Sequence, residues 1–193
     1  VKSVVLITAD GLSPNQASRL SVFDKEPAFF ENALTPTPST LPAMATVMTG
    51  MHPLTHGVKG ASDWRLTGAA ITLAEMFQTN EWRTAAVVGA VILDRVFGLD
   101  QGFDSYNDTG MEAQDEASLL PAERRGDEVT KQALKWLGAG EKKEPFFMWV
   151  HYYDPHAIYR PPEPFSEEYV ASPYDGEIAY TDYEVGRLLK GVR

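Results

Sequence analysis

The chain has no cysteine among its 193 residues. Disulfides and thiolate metal sites are thereby excluded, and the redox compartment is left open. Positive charge is scarce: 17 Lys and Arg stand against 27 Asp and Glu, a formal net charge of −10. Such a surface repels phosphate backbones and anionic headgroups, so nucleic acid and acidic membranes are not expected partners. No run approaches the ~18–20 apolar residues that span a bilayer, so no membrane segment is expected in this stretch. The acidic residues are dispersed, as on a solvated surface. The chain opens at Val1 rather than Met. Removal of an upstream signal or anchor would place it outside the cytoplasm.

What is present suffices for a core: 44% of residues are hydrophobic and 11% aromatic, enough for one domain over 1–193. Val4 to Thr8, Thr84 to Gly89 and Phe146 to Val150 are short apolar runs that read as buried strands. Helices are expected from Ser13 to about Leu20, over Leu73 to Phe77, from Glu123 to Leu137 and from Glu177 to Leu189. Ala28 to Leu34 reads as extended, Gly98 to Tyr106 as a loop, and 138–143 as a surface connection. Continuous apolar strands alternating with amphipathic helices predict an α/β fold, a mostly parallel sheet with helices on both faces.

Residues 36–58 carry the most chemical information. A loop with Pro36, Pro38 and Pro42 delivers the Thr40 hydroxyl to the start of a short apolar helix that ends at Gly50. A helix N-terminus has unpaired amides and partial positive charge, which favour a tetrahedral anion. A nucleophile presented there suggests phosphate or sulfate ester chemistry. Taken alone, Thr40-Leu41-Pro42 is more simply read as an ordinary capped helix start. Asp10, directly after the first strand, reads either as a hard-cation ligand or as a turn-capping Asp before Gly11. His151 and His156 follow the third strand in His-Tyr-Tyr-Asp-Pro-His. His156 reads as a proton donor to a leaving oxygen or as a histidine satisfied within its loop.

Thr40-Leu41-Pro42-Ala43-Met44-Ala45-Thr46-Val47-Met48-Thr49-Gly50, followed by His52-Pro53-Leu54-Thr55-His56-Gly57-Val58, resembles the sulfatase branch of the alkaline-phosphatase superfamily. Three further segments match in order: Leu73 to Val88, His151 to Tyr159, and Tyr174 to Leu189. The resemblance implies an alkaline-phosphatase-like α/β fold, of which this is the N-terminal portion. It implies a metal-dependent hydrolase of small sulfate or phosphate esters, with Thr40 as nucleophile and His156 at the leaving group. Asp10 and Thr40 would hold a divalent metal (Ca²⁺, or Zn²⁺, Mn²⁺ or Mg²⁺). Lys59 and His151 are the substrate-binding candidates, His151 as a supporting residue. Without cysteine, the nucleophile is no cysteine-derived formylglycine.

The chain departs from the family pattern at four places. Many relatives carry a second Asp where Gly11 stands, and Arg or His where Met44 stands. Threonine-nucleophile relatives have an Asn near the place of Ala61, for which Lys59 is the nearby substitute. The family's second metal segment should follow Leu189 closely, and the sequence stops at Arg193 before it. A non-catalytic binding relative and a phosphotransferase are therefore the alternative readings.

Overall fold

The computed structural model describes residues 2–13, 16, 20–23, 30, 32–60, 64–110, 123–140 and 144–192. Four strands form one sheet: β1 (Val4–Ala9), β2 (Arg83–Val88), β3 (Ser105–Asn107) and β4 (Phe146–Tyr152). Their spatial order is β1-β4-β2-β3, and every pairing is parallel. The α-helices described in full are α1 (Thr40–Thr49), α2 (Pro53–His56), α3 (Leu73–Thr79), α4 (Gly126–Ala139), α5 (Phe165–Glu168) and α6 (Pro173–Val192). Among the described residues, no helix is long and apolar enough to cross a membrane.

Strand alternation divides the core into two layers. On one face, Ala86, Val88, Phe147 and Trp149 pack with Leu41, Ala45 and Met48 of α1 and Ala74 of α3. On the other, Ala85, Val87, Met148, Val150 and Tyr152 meet Val129 and Ala133 of α4 and Val185 and Leu188 of α6. Phe147, Trp149 and Tyr152 are fully buried, and each such side chain contributes roughly 1.5–3 kcal/mol or more by leaving water. The expected fold is therefore the observed one, with helices on both faces of a parallel sheet.

Several boundaries shift for identifiable reasons. α4 begins at Gly126 rather than Glu123. Glu123 pairs with Ala90 as an isolated antiparallel bridge, and the Arg124 N–H donates to the Gly89 carbonyl at 2.8 Å. The buried Arg124 guanidinium also donates to the carbonyls of Val88, Asn107 and Thr109, tying the ends of β2 and β3 together. α6 begins at Pro173, four residues earlier than expected, with its proline suited to a first helical turn. The expected loop at Gly98 to Tyr106 ends in the short strand β3. Most of the expected Ser13–Leu20 helix, and three of the seven residues of the Ala28–Leu34 segment, lie outside the described residues.

Candidate active site at the carboxyl edge of the sheet

Because all strands run parallel, their C-terminal ends open on one edge, where ligands gather in open α/β sheets. β1 and β4 pair with Thr8 opposite His151 and Ala9 opposite Tyr152. The Asp10 N–H continues the ladder by donating to the Tyr152 carbonyl at 2.9 Å. Alternation then turns Thr8 and Asp10 to the face covered by α1. Thr40 opens α1, with Ser39 as N-cap in extended conformation and Gly50 closing the helix at φ 66°. The Thr40 hydroxyl donates to Asp10 Oδ2 at 2.7 Å. Two residues thirty positions apart are thus in direct contact, both half-buried.

His156 comes from the loop after β4. Its N–H donates to the Tyr153 carbonyl, and its ring stacks on Tyr153 with centroids 4.6 Å apart. The loop presses on the one after β1: a Cβ built at Gly11 would lie 2.6 Å from the Pro155 carbonyl oxygen and 2.7 Å from His156 Cα. Gly11 has φ +70°, a left-handed conformation that also favours glycine. Asp10 and His156 are therefore held in adjoining loops by backbone contact. Burial, with Asp10 and Glu123 nearby, pushes the Tyr153 phenol up to about 12, so it stays a neutral hydroxyl at physiological pH.

Beneath Asp10 lies a buried polar ladder. Trp149 Nε1–H donates to Thr8 Oγ1 at 3.0 Å, and Thr8 Oγ1 lies 2.8 Å from His151 Nδ1. Since Trp149 can only donate, Thr8 is free to donate to Nδ1; the ring proton then sits on Nε2, which has no hydrogen-bond partner among the described residues. His151 is 1% exposed. Burial lowers its pKa below the ordinary 6.5 although Asp10 pulls the other way. It is thus a neutral ring behind the Asp10 carboxylate rather than a surface for a ligand. Lys59 is exposed, with Nζ 5.7 Å from the Trp64 ring centroid. Met44 is partly buried against the α1-side core, and Ala61 lies outside the described residues.

His56, in the same motif, has a structural place. The Val58 N–H donates to Nδ1 at 3.1 Å, so Nε2 carries the proton toward Thr46 Oγ1, also at 3.1 Å. Burial and the neighbouring His52 lower its pKa and keep it neutral. His56→Ala should destabilise the fold by about 2–3 kcal/mol by stranding the buried Val58 N–H and the half-buried Thr46 hydroxyl. A urea melt within 0.5 kcal/mol of the parent would contradict that assignment.

Among the described residues, no three His, Cys, Asp or Glu side chains converge on a metal-sized site. Asp10 and Thr40 nonetheless bring carboxylate and hydroxyl oxygens together, a donor set that fits part of the shell of a hard divalent cation. Thr8, Tyr153 and the Gly11 contact have no counterpart in the motif reading. The only sequence hint was a Thr at the end of an apolar strand.

The family model described as Sulfatase matches residues 4–193. No curated protein sequence matches the chain. The fold is similar to that of the phosphonate monoester hydrolase of Agrobacterium radiobacter, with a TM-score of 0.79 at 16% identity over 100% of this chain and 59% of that one. It is similar to Ps i-CgsB, solved with k-i-k-neocarrahexaose, at a TM-score of 0.75, 17% identity, and 98% and 54% coverage. For BT4656, solved with D-glucosamine-2-N,6-O-disulfate, the TM-score is 0.66 at 16% identity, covering 88% of this chain and 37% of that one. The chain thus spans between about a third and three fifths of these solved relatives.

Proposed function

Because the chain belongs to the sulfatase family, we propose that it carries the nucleophile half of an active site that hydrolyses small sulfate or phosphate esters. The observation that supports this most is the 2.7 Å hydrogen bond from Thr40 Oγ1 to Asp10 Oδ2 at the start of α1. Thr40 is the nucleophile. Its oxygen forms a bond to the sulfur or phosphorus, the bond to the alcohol oxygen breaks, and that oxygen leaves with the bonding pair. His156 donates the proton that the departing alcohol requires. The intermediate is a threonine sulfate or phosphate, and water then releases the anion. Asp10, which accepts the hydrogen bond of the Thr40 hydroxyl, orients it and takes its proton as the bond to sulfur or phosphorus forms. The Thr40 and Leu41 N–H groups, which have no acceptor within α1, would face the transferring group; Pro42 has no N–H to add.

Asp10 and Thr40 would also hold the divalent metal, whose chemistry when bound is to lower the pKa of the hydroxyl it touches. His151, hydrogen-bonded to Thr8 two residues before Asp10, is a supporting residue in this reading, and Lys59, beside the Trp64 ring, is the substrate-binding candidate. Similarity to solved proteins whose names include a phosphonate monoester hydrolase and a complex with a sulfated glucosamine is consistent with either ester class. The test is to quench the full-length protein in acid during turnover of an aryl sulfate and an aryl phosphate and to map the peptides by mass spectrometry. The expected adduct is one sulfuryl or phosphoryl group on Thr40. Under burst conditions, an adduct on another residue, or none on Thr40, overturns the assignment.

A further inference from the structure

The N-terminal turns of α6 touch both loops that bear the site. The Tyr174 hydroxyl donates to the Gly11 carbonyl at 2.9 Å and accepts from the Ser13 N–H at 3.0 Å, fixing the loop after β1. Its ring meets Tyr159 with centroids 4.9 Å apart. Two residues along, Gly176 admits Pro161: a Cβ there would lie 2.8 Å from the Pro161 Cγ. Next, Glu177 Oε1 accepts the Arg160 N–H at 2.6 Å. The segment 154–161 is thus held at its far end by α6 and at its near end by Asp154, whose Oδ1 accepts the Gly126 N–H at the start of α4 at 3.0 Å. His156 sits between the two anchors.

Building on the proposed site, we infer that Tyr174 and Glu177 are positioning residues: they lock the His156 loop and the Asp10 loop in register across the Gly11 contact. Neither residue need touch the ester. Tyr174 and Glu177, three apart, share one face of α6, so one rigid helix sets the spacing of two otherwise separate loops.

Glu177 is 4% exposed and faces a cavity of about 460 Å³. The groups around it are Asp154 after β4, Glu123, Arg124 and Arg125 before α4, Asp127 and Glu128 in its first turn, and Arg160 in the clamped loop. Arg124 is engaged with backbone carbonyls, and Arg125 lies 4.0 Å from Asp127 and over the Tyr180 ring. Burial, and then Asp154, raise the Glu177 carboxyl from 4.5 to about 8. Burial likewise raises Asp154 to about 7. The anchor is therefore protonated in the folded state at neutral pH. Its stabilising contribution is full below pH 4.5 and is lost as pH rises through about 8, where two ionised carboxylates repel across the cavity.

The test uses the full-length protein and an aryl ester, measuring kcat and KM from pH 6 to 9.5 for wild type, Glu177→Gln, Glu177→Ala and Tyr174→Phe. Hydrogen exchange at the Arg160 amide is followed in parallel. Glu177→Gln keeps an acceptor for Arg160 and cannot ionise. It should match wild type at pH 7 and lose less rate than wild type above pH 8. Glu177→Ala should lower kcat about 10- to 100-fold, the scale of an ångström of misplacement, with little change in KM, and should speed Arg160 exchange at least tenfold. Tyr174→Phe should lower kcat with Arg160 protection intact. A fall above pH 8 as steep in Glu177→Gln as in wild type, or a wild-type kcat in Glu177→Ala, overturns the positioning role. If wild type turns over no sulfate or phosphate ester, the proposed function fails, and the exchange at Arg160 alone then decides the clamp.

Discussion

Thr40→Ala in the full-length protein is expected to lower kcat on aryl sulfates or phosphates by about 10⁴-fold or more, the scale on which loss of a covalent nucleophile registers. The fold should survive. Thr40 is the first residue of α1, half-buried, and Ser39 holds the cap position. Alanine is at least as good a helix former, so the loss is one hydrogen bond to Asp10, about 1 kcal/mol. A large catalytic effect with a small shift in Tm is therefore the mark of a nucleophile here. Thr40→Ser should recover most of the rate, since it retains the oxygen and sheds only a methyl group. If Thr40→Ala keeps a tenth of the parental kcat, attack comes from elsewhere, a water molecule included. The alternative reading as a non-catalytic relative predicts no turnover in either protein.

How much of this could be read beforehand follows from the physics of each segment. β1, β2 and β4 were legible to within two residues because buried parallel strands are continuous apolar runs. β3 was not, because Ser105-Tyr106-Asn107 is too short and polar to show a pattern. Its place comes from pairing with β2 and from Arg124, both long-range facts. Asp10, Thr40 and His156 could be named from their motifs, but the hydrogen bond between the first two is a tertiary outcome. His151 illustrates the limit most clearly. A histidine beside a site motif reads as a contact residue, whereas its register opposite Thr8 buries it behind Asp10. The Tyr174 to Glu177 stretch was legible as family pattern, with only Glu177 inside the expected helix; its polar contacts with Gly11, Ser13 and Arg160 span 17 to 163 residues of sequence.

Gly11→Asp poses the sharpest conflict between a sequence argument and a structural one. Many relatives carry two aspartates after the first strand, and a second carboxylate should strengthen a cation site by donor count alone. The local geometry argues the reverse. Gly11 is at φ +70°, a conformation that costs a non-glycine residue about 1 kcal/mol. Its Cβ would lie 2.6 Å from the Pro155 oxygen, 2.7 Å from His156 Cα and 2.9 Å from His156 N. These are backbone atoms that no rotamer change can move, so the His156 loop must shift away from Asp10. The shift would pull against the Tyr174 bond to the Gly11 carbonyl. Gly11→Asp is therefore expected to destabilise the protein by about 2–4 kcal/mol and to lower kcat/KM about 10- to 100-fold, without tightening metal binding in calorimetry. Gly11→Ala separates the causes. It adds the same Cβ without charge, so a steric origin predicts comparable harm in both variants. A benign Gly11→Ala beside a damaged Gly11→Asp would place the fault in the extra charge, and a more active Gly11→Asp would mean that the two loops yield more readily than their contact implies.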